Sequence, residues 1–513
     1  MVKSIMFQGT GSHVGKSILA TALCRIFKQD GHSVAPFKAQ NMALNSYVTK
    51  SGGEMGRAQV AQAEASGIDP EVEMNPILLK PTGNASSQVI ILGKPIGNLS
   101  AYEYHQEFNM TALEVVQNSY QKLADQYDII VLEGAGSPAE VNLKARDIVN
   151  MRMAKLANAP VVLIADIDRG GAIASIVGTL ELLDEDEKDL VQGLVINKFR
   201  GDVTLLEPAL KFLEEKTGKP VLGVIPYMTE VGIADEDSVS RENDDGAKKH
   251  TNTDRLDIVV ISLPRLSNFT DFDCFQADPD VALRYVKQVK DIDKPDLIII
   301  PGSKNTIEDL LFLQSSGLAE EIKRLAEEGV AVVGICGGYQ ILGQELSDPF
   351  ATESSISKAY GLGLLPINTV FAKEKTTRQV QGYVNETTSP LLKDCSEVEI
   401  SGYEIHMGVS ELLDSVETVC SLFQDMKTKA IARADGAVST NGTVFGTYVH
   451  GIFDNNSFRR QFLNNLRVIK GWEPLATNAI SFEAQKEEAY NKLADHVRAY
   501  LDMDKIYQII GLR

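Results

Sequence analysis

The sequence predicts an α/β protein made of two successive domains, each a parallel sheet covered by helices. Three observations carry that expectation. Through residues 1–233, short β-rich runs alternate with amphipathic stretches, the pattern of repeated strand–helix–strand units. A polar segment of mixed charge, ADEDSVSRENDDGAKKHTNTDR at 234–255, then interrupts the apolar rhythm, as an exposed linker does. A second alternating series follows. With 513 residues in all, each half is long enough to bury a core of its own.

In the first half, the strands expected are KSIMFQ, HSVAPFK, DIIVLE, APVVLIAD, QGLVIN and KPVLGVI, with helices over Lys16–Gln29 and Tyr102–Gln126. Beyond the linker, LDIVVIS, DLIIIPG, AVVGIC, EIHMG and TVFGTYVHG read as strands. From Phe458 onward the chain reads mainly as helix. The expected division is therefore a first domain over 1–233, a linker over 234–255, a second domain over 256–458 and a helical extension over 459–513.

Composition narrows the function classes. Apolar residues make up 44% and charged residues 23% of the chain, as in an ordinary soluble protein. The longest apolar runs, such as PVVLIADI and DLIIIPG, are strand-length, so no membrane span or membrane partner is expected. A signal peptide is not expected either, because a glycine-rich loop already begins at Gly9 and processing would destroy it. The five cysteines show no paired spacing, which suits reduced thiols in a cytoplasm. A net charge of −20 argues against a general nucleic-acid surface. An anionic substrate must then be held by local lysines, arginines and backbone amides.

GTGSHVGKS at residues 9–17 follows a strand and opens a helix, the setting in which backbone amides wrap phosphate oxygens. Thr10 stands where the common P-loop has its first glycine, flanked by Gly9 and Gly11, so the fit is one residue out of register. Gly9, Thr10, Gly11, Ser12, Val14 and Gly15 would cradle the nucleotide phosphates, Lys16 would neutralise their charge, and Ser17 would bind Mg2+. The spacing resembles the dethiobiotin synthetase branch of P-loop proteins, G-T-x-x-x-V-G-K-[ST]. That likeness implies ATP as the nucleotide and gives roles to further residues. Glu133, ending the strand of VLEGAGS, would be a second magnesium contact, or else a solvated strand-end acid. Asn197 in VINKFRGD would read an adenine edge, or make an ordinary turn. Lys38 and Glu54 would lie near the phosphates and the acceptor, or be plain surface charges.

VVGICGGYQILG at 332–343 delivers Cys336 from an apolar strand into a glycine-rich turn at a helix N-terminus. Backbone N–H groups and the helix dipole favour thiolate at such a place, and thiolate is the nucleophilic form. Cys24 and Cys420 lack that setting and are expected to be inert core. The G-x-C-x-G turn matches class I glutamine amidotransferases. By that resemblance His450, in GTYVHGIFD, is the base, and the amides of Gly302, Ser303 and Gly337 form the oxyanion hole. Many such domains carry a glutamate two residues after the histidine. Here that position is Ile452, which matches the cobyrinate-amidating branch and leaves open what orients His450. His406 in GYEIHMG is a competing candidate for the base, or a structural residue beside the cleft.

Four further segments are more discriminating than either loop: MNPILLKP at 74–81, LPRLSNFTDFD at 263–273, GYEIHMG at 402–408 and YVHGIFD at 448–454. Together they resemble the cobyric acid synthase family of the corrinoid pathway, over nearly the whole chain. The resemblance implies that adenosylcobyrinic acid a,c-diamide is amidated on its b, d, e and g propionates, each with one ATP and one glutamine, to adenosylcobyric acid. Two alternatives remain at this level. One is cobyrinic acid a,c-diamide synthase, of the same two-domain plan. The other is a P-loop regulatory ATPase with an inactive amidotransferase-like domain.

Overall fold

The computed structural model describes residues 2–82, 86–100, 109–228, 232–233, 254–413, 416–425, 429–476 and 481–512. Most of the expected linker, residues 234–253, lies outside the described residues, as do residues 102–108 of the expected helix, which is described over Asn109–Ala124. Two compact units are present: Met1–Ala43 with Gly53–Glu236 and Gln485–Arg513, and Leu44–Gly52 with Asp237–Ala484. Neither is continuous in sequence.

The first unit is built on a six-stranded parallel sheet. Its strand order is Val221–Pro226, Val191–Phe199, Val161–Asp166, Lys3–Gly9, Ile129–Glu133, Val34–Phe37. The near-continuous apolar runs of these strands follow from burial on both faces of a parallel sheet. Register places Phe7 opposite Glu133 and Gly9 opposite Ile164, so the loop after Gly9 leaves the sheet from its middle. The helix Lys16–Gln29 turns Leu19, Leu23, Ile26 and Phe27 into the core, a helical i, i+4, i+7, i+8 stripe. The same core takes up Tyr490, Leu493, Val497, Ile506 and Ile510 from the end of the chain. A smaller sheet runs Gln40–Met42, Ile77–Pro81, Ser86–Ile91, Lys94–Ser100.

The second unit has a six-stranded sheet ordered Val281–Val286, Leu256–Ile261, Leu297–Ile300, Ala331–Ile335, Val444–Thr447, Ala437–Val438. All its pairings are parallel except the last. EIHMG does not join it. That segment belongs to the long strand Glu399–Leu412, which pairs antiparallel with Ile367–Val384 in a separate sheet. The helix Asn456–Ile469 buries Phe458, Phe462, Leu463 and Leu466 in this unit's core. Among the described residues no helix is long and apolar enough to cross a membrane.

Candidate functional site

In the first unit, Gly15 has φ 100° and an ideal Cβ on it would lie 2.1 Å from Asn197 Nδ2. Only glycine suits both conditions. The space it leaves admits the Asn197 amide, which donates to the Val14 carbonyl at 2.8 Å. Asn197 thus braces the loop. Gly9 is equally crowded, since a Cβ there would approach Val14 Cγ2 to 2.5 Å. Thr10 N donates back to Ile164 O at 2.9 Å, closing the loop against the sheet. Gly11 O accepts from Lys16 Nζ at 2.8 Å. Ser12 and His13, which follow Gly11 in the loop, are both exposed.

Glu133 lies at the strand end facing this loop. Its Oε1 accepts from Ser17 Oγ at 2.8 Å and from Lys38 Nζ at 2.9 Å, and its Oε2 accepts from Gln62 Nε2 at 2.7 Å. Lys38 and Glu133 side chains are 5% and 0% exposed, and Lys80 and Glu54, paired at 2.8 Å, are likewise 5% and 0% exposed. Neither Lys38 nor Glu54 is a surface charge, and Glu133 is not a solvated strand-end acid. MNPILLKP supplies the support: Lys80 pairs Glu54, and Asn75 accepts from Gly56 N while donating to Lys38 O. Ser17 Oγ and Glu133 form a pair of hard oxygen donors, the kind Mg2+ takes from protein while keeping phosphate and water in its remaining positions.

In the second unit, Cys336 occupies φ 51°, ψ −106° between the strand Ala331–Ile335 and the helix Gly337–Leu342. Such backbone strain needs surroundings that enforce it, and the adjacent glycines permit them. A Cβ on Gly338 would meet Ile300 O at 1.8 Å, and one on Gly334 would meet the Gly338 carbonyl carbon at 2.6 Å. A Cβ on Gly337 would lie 2.8 Å from Ser303 N, so the Gly337 and Ser303 backbones flank one narrow space. Gly302 packs against His450: a Cβ there would come to 3.2 Å from His450 Cε1.

His450 is buried at 1% exposure. Its Nδ1 donates to Asp271 Oδ2 at 2.6 Å, and Asp271 Oδ1 accepts from Gly451 N at 3.2 Å. That bond fixes the tautomer and leaves Nε2 as the ring nitrogen for Cys336. Burial alone would lower the histidine pKa, but the Asp271 carboxylate and the Cys336 sulfur outweigh it and push it up to about 10. A histidine pKa raised in this way suits an acid that gives its proton to a departing amine.

His406 differs from His450. Burial holds it down to about 4, its Nδ1 is bonded to Gly408 O at 2.7 Å, and its ring stacks on Tyr448. The remaining cysteines behave as core. Burial pushes Cys24 and Cys395 up to about 12, and Cys274 and Cys420 well above the ordinary thiol value.

The orienting acid Asp271 was not identified from sequence. It lies within LPRLSNFTDFD, but its partner is 179 residues away, and no local spacing encodes that. Ile452, at the position of the usual glutamate, is buried apolar core at 1% exposure. Asn75, Lys80 and Gln62 around Glu54 and Glu133 went unnoticed for the same reason.

Comparison with known proteins matches a domain to each half of the chain. Residues 5–240 match the CobQ/CobB/MinD/ParA nucleotide binding domain, and residues 257–458 match the CobB/CobQ-like glutamine amidotransferase domain. The cobyric acid synthase of Moorella thermoacetica is 52% identical over 512 residues, covering 100% of this chain and 98% of its own. That of Desulfitobacterium hafniense is 52% identical over 511 residues, covering 99% and 98%. That of Streptococcus sanguinis is 51% identical over 511 residues, covering 100% and 99%. Likeness at this level, end to end and through both domains, means that the chain belongs to the cobyric acid synthase family.

Proposed function

We propose that the chain amidates the b, d, e and g propionates of adenosylcobyrinic acid a,c-diamide in the cytoplasm, drawing nitrogen from glutamine and driving force from ATP. The observation that carries the reading is the buried Asp271–His450 bond beside Cys336. An inactive amidotransferase-like domain has no use for a strained cysteine beside an imidazole oriented by a buried carboxylate. That geometry therefore disfavours a purely regulatory ATPase.

In the glutaminase half, Cys336 thiolate attacks the glutamine carboxamide carbon. The N–H groups of Gly302, Ser303 and Gly337 receive the developing oxyanion. His450 gives its proton to the departing nitrogen, so ammonia leaves and a thioester remains. Water, deprotonated by His450, then cleaves the thioester to glutamate and restores the thiolate.

In the synthetase half, a propionate is a poor electrophile, because its charge repels nucleophiles and oxide is a poor leaving group. Its oxygen attacks the γ-phosphorus of ATP, ADP departs, and an acyl phosphate forms. Ammonia then attacks the acyl carbon and phosphate leaves with the bonding electrons. Lys16 and the amides of residues 9–15 hold the phosphates, and Asn197 sets the loop and offers its oxygen to the adenine amino group. Lys38 serves the phosphoryl side and Glu54 the acceptor side. Ser17 and Glu133 would hold Mg2+, which would supply charge neutralisation at the transferring phosphate.

Purified protein given magnesium-ATP, glutamine and adenosylcobyrinic acid a,c-diamide should yield products heavier by successive amidations, read by mass spectrometry. Inertness toward that substrate with activity on cobyrinic acid would instead identify a cobyrinic acid a,c-diamide synthase.

A further inference from the structure

Beyond Asp271, the His450 imidazole has a second neighbour that fixes it. The Tyr403 ring lies face to face with it, centroids 5.1 Å apart at 15°. The two backbones also exchange hydrogen bonds, Tyr403 N to His450 O at 3.1 Å and His450 N to Tyr403 O at 2.9 Å. The imidazole is thus pinned at Nδ1 by a carboxylate and across its face by a phenol. Both restraints lead back to one short stretch of the same compact unit, Leu44–Gly52.

The connection runs through Asn268. This residue has φ 53° and opens the turn Phe269–Phe272 that carries Asp271. Its Oδ1 accepts from Ser46 N at 3.1 Å, and its Nδ2 donates to Tyr403 Oη at 3.2 Å. Tyr403 Oη in turn donates to Ser46 O at 3.2 Å. Ser46, Asn268 and Tyr403 therefore close a ring of three hydrogen bonds. Thr270, next to Asp271, donates to Asn45 Oδ1 at 3.4 Å. Tyr47 meets the Tyr403 ring edge-on at 5.2 Å, and Val48 packs with Tyr403 and Ile405 in a small apolar cluster. Ile405 also presents the carbonyl that accepts from Cys336 Sγ at 3.7 Å.

We infer that residues 45–48, acting through Asn268 and Tyr403, are positioning residues of the glutaminase. This strap sets the imidazole of His450 against Cys336. The inference rests on the assignment of Cys336 and His450 as the reacting pair. It gives a function to a segment that lies more than 200 positions before the cysteine and that no feature of the glutamine site would single out. A base held from two directions keeps its near-attack geometry, and loosening one of them lowers turnover without weakening substrate binding.

The test uses the full chain with Tyr47→Ala, Tyr403→Phe and Asn268→Gly. The phenylalanine keeps the stacked ring and removes only the hydroxyl. The glycine keeps the left-handed backbone and removes only the amide. Glutamate release from glutamine should fall roughly tenfold in kcat, with KM for glutamine within about twofold of the parent. Amidation driven by ammonium chloride should persist. Carbamidomethylation of Cys336 by iodoacetamide at fixed pH, followed by peptide mass spectrometry, should change in rate while the thermal transition stays at its parental temperature, a combination that mere loss of fold does not produce. Parental kcat and an unchanged alkylation rate in Tyr403→Phe and Tyr47→Ala would overturn the inference, as would a rise in KM alone. A Cys336→Ala control that still hydrolyses glutamine would instead defeat the underlying assignment of the nucleophile.

Discussion

Asp271 accepts a 2.6 Å hydrogen bond from His450 although 179 residues separate them. The bond is expected to do the work usually given to a glutamate two positions after the histidine, where this chain has Ile452. Replacing Asp271 with Asn keeps the shape but removes the charge that favours imidazolium and can turn the ring to the wrong tautomer. Glutamine-dependent turnover should fall on the order of a hundredfold or more, while ammonium-driven amidation survives. Steady-state glutamate release measures the first, and corrinoid mass the second. A loss under threefold would rule out Asp271 as the orienting group.

Cys336→Ala should abolish glutamine hydrolysis and leave ammonium-driven amidation intact, because the synthetase chemistry needs only the nitrogen nucleophile. Parallel assays with glutamine and with ammonium salts at equal pH settle this. Loss of both reactions would contradict the division of labour.

The His450 proton is expected to set the alkaline limit of glutamine turnover. Its folded pKa lies near 10, above the ordinary 6.5, so the stability it contributes is complete below the ordinary value. That contribution disappears as pH rises through about 10. Glutamine turnover should accordingly hold through pH 8–9 and fall only as pH approaches the folded value. In Asp271→Asn the fall should begin at lower pH, because the first of the charges that raise the pKa is gone. A kcat profile that declines from the ordinary 6.5 in the parent protein would show that the imidazolium is not held.

In the first unit, Lys38→Met removes the cation bonded to a carboxylate that has no exposure. A broken buried pair destabilises by roughly 3 kcal/mol. Differential scanning calorimetry should show an earlier first transition, and ATP-dependent amidation should collapse while glutamine hydrolysis continues. A transition unmoved by even one degree would mean that Glu133 finds its compensation elsewhere.

Gly338→Ala brings a Cβ to within 1.8 Å of Ile300 O, a backbone atom that cannot swing aside. The turn carrying Cys336 must then shift. Glutaminase activity should disappear and Cys336 alkylation should slow, both measurable on the purified variant.

What the sequence disclosed divides along physical lines. Local signals carried far: the strand-to-helix glycine loops at Gly9–Ser17 and around Cys336, and the apolar runs of the two parallel sheets, each act over a few residues. The charged pairs were harder. Lys38, Glu54 and Glu133 look alike in sequence whether solvated or buried, and only their tertiary partners Lys80, Gln62 and Ser17 distinguish the cases. EIHMG shows the limit of pattern alone. Its alternation gave a strand, but not that it pairs antiparallel outside the main sheet. Asp271 was hidden inside a segment already recognised as distinctive, because a motif shows that residues matter without showing what they touch.

The closing stretch Gln485–Arg513 packs into the unit that begins with the first strand. A chain emerging from the ribosome cannot finish that unit when its P-loop and sheet have been made. Leu19, Leu23, Ile26 and Phe27 must wait until Leu493, Val497, Ile506 and Ile510 have been translated. The nucleotide-binding half therefore completes its core only after the glutamine-using half, residues 237–484, has been made.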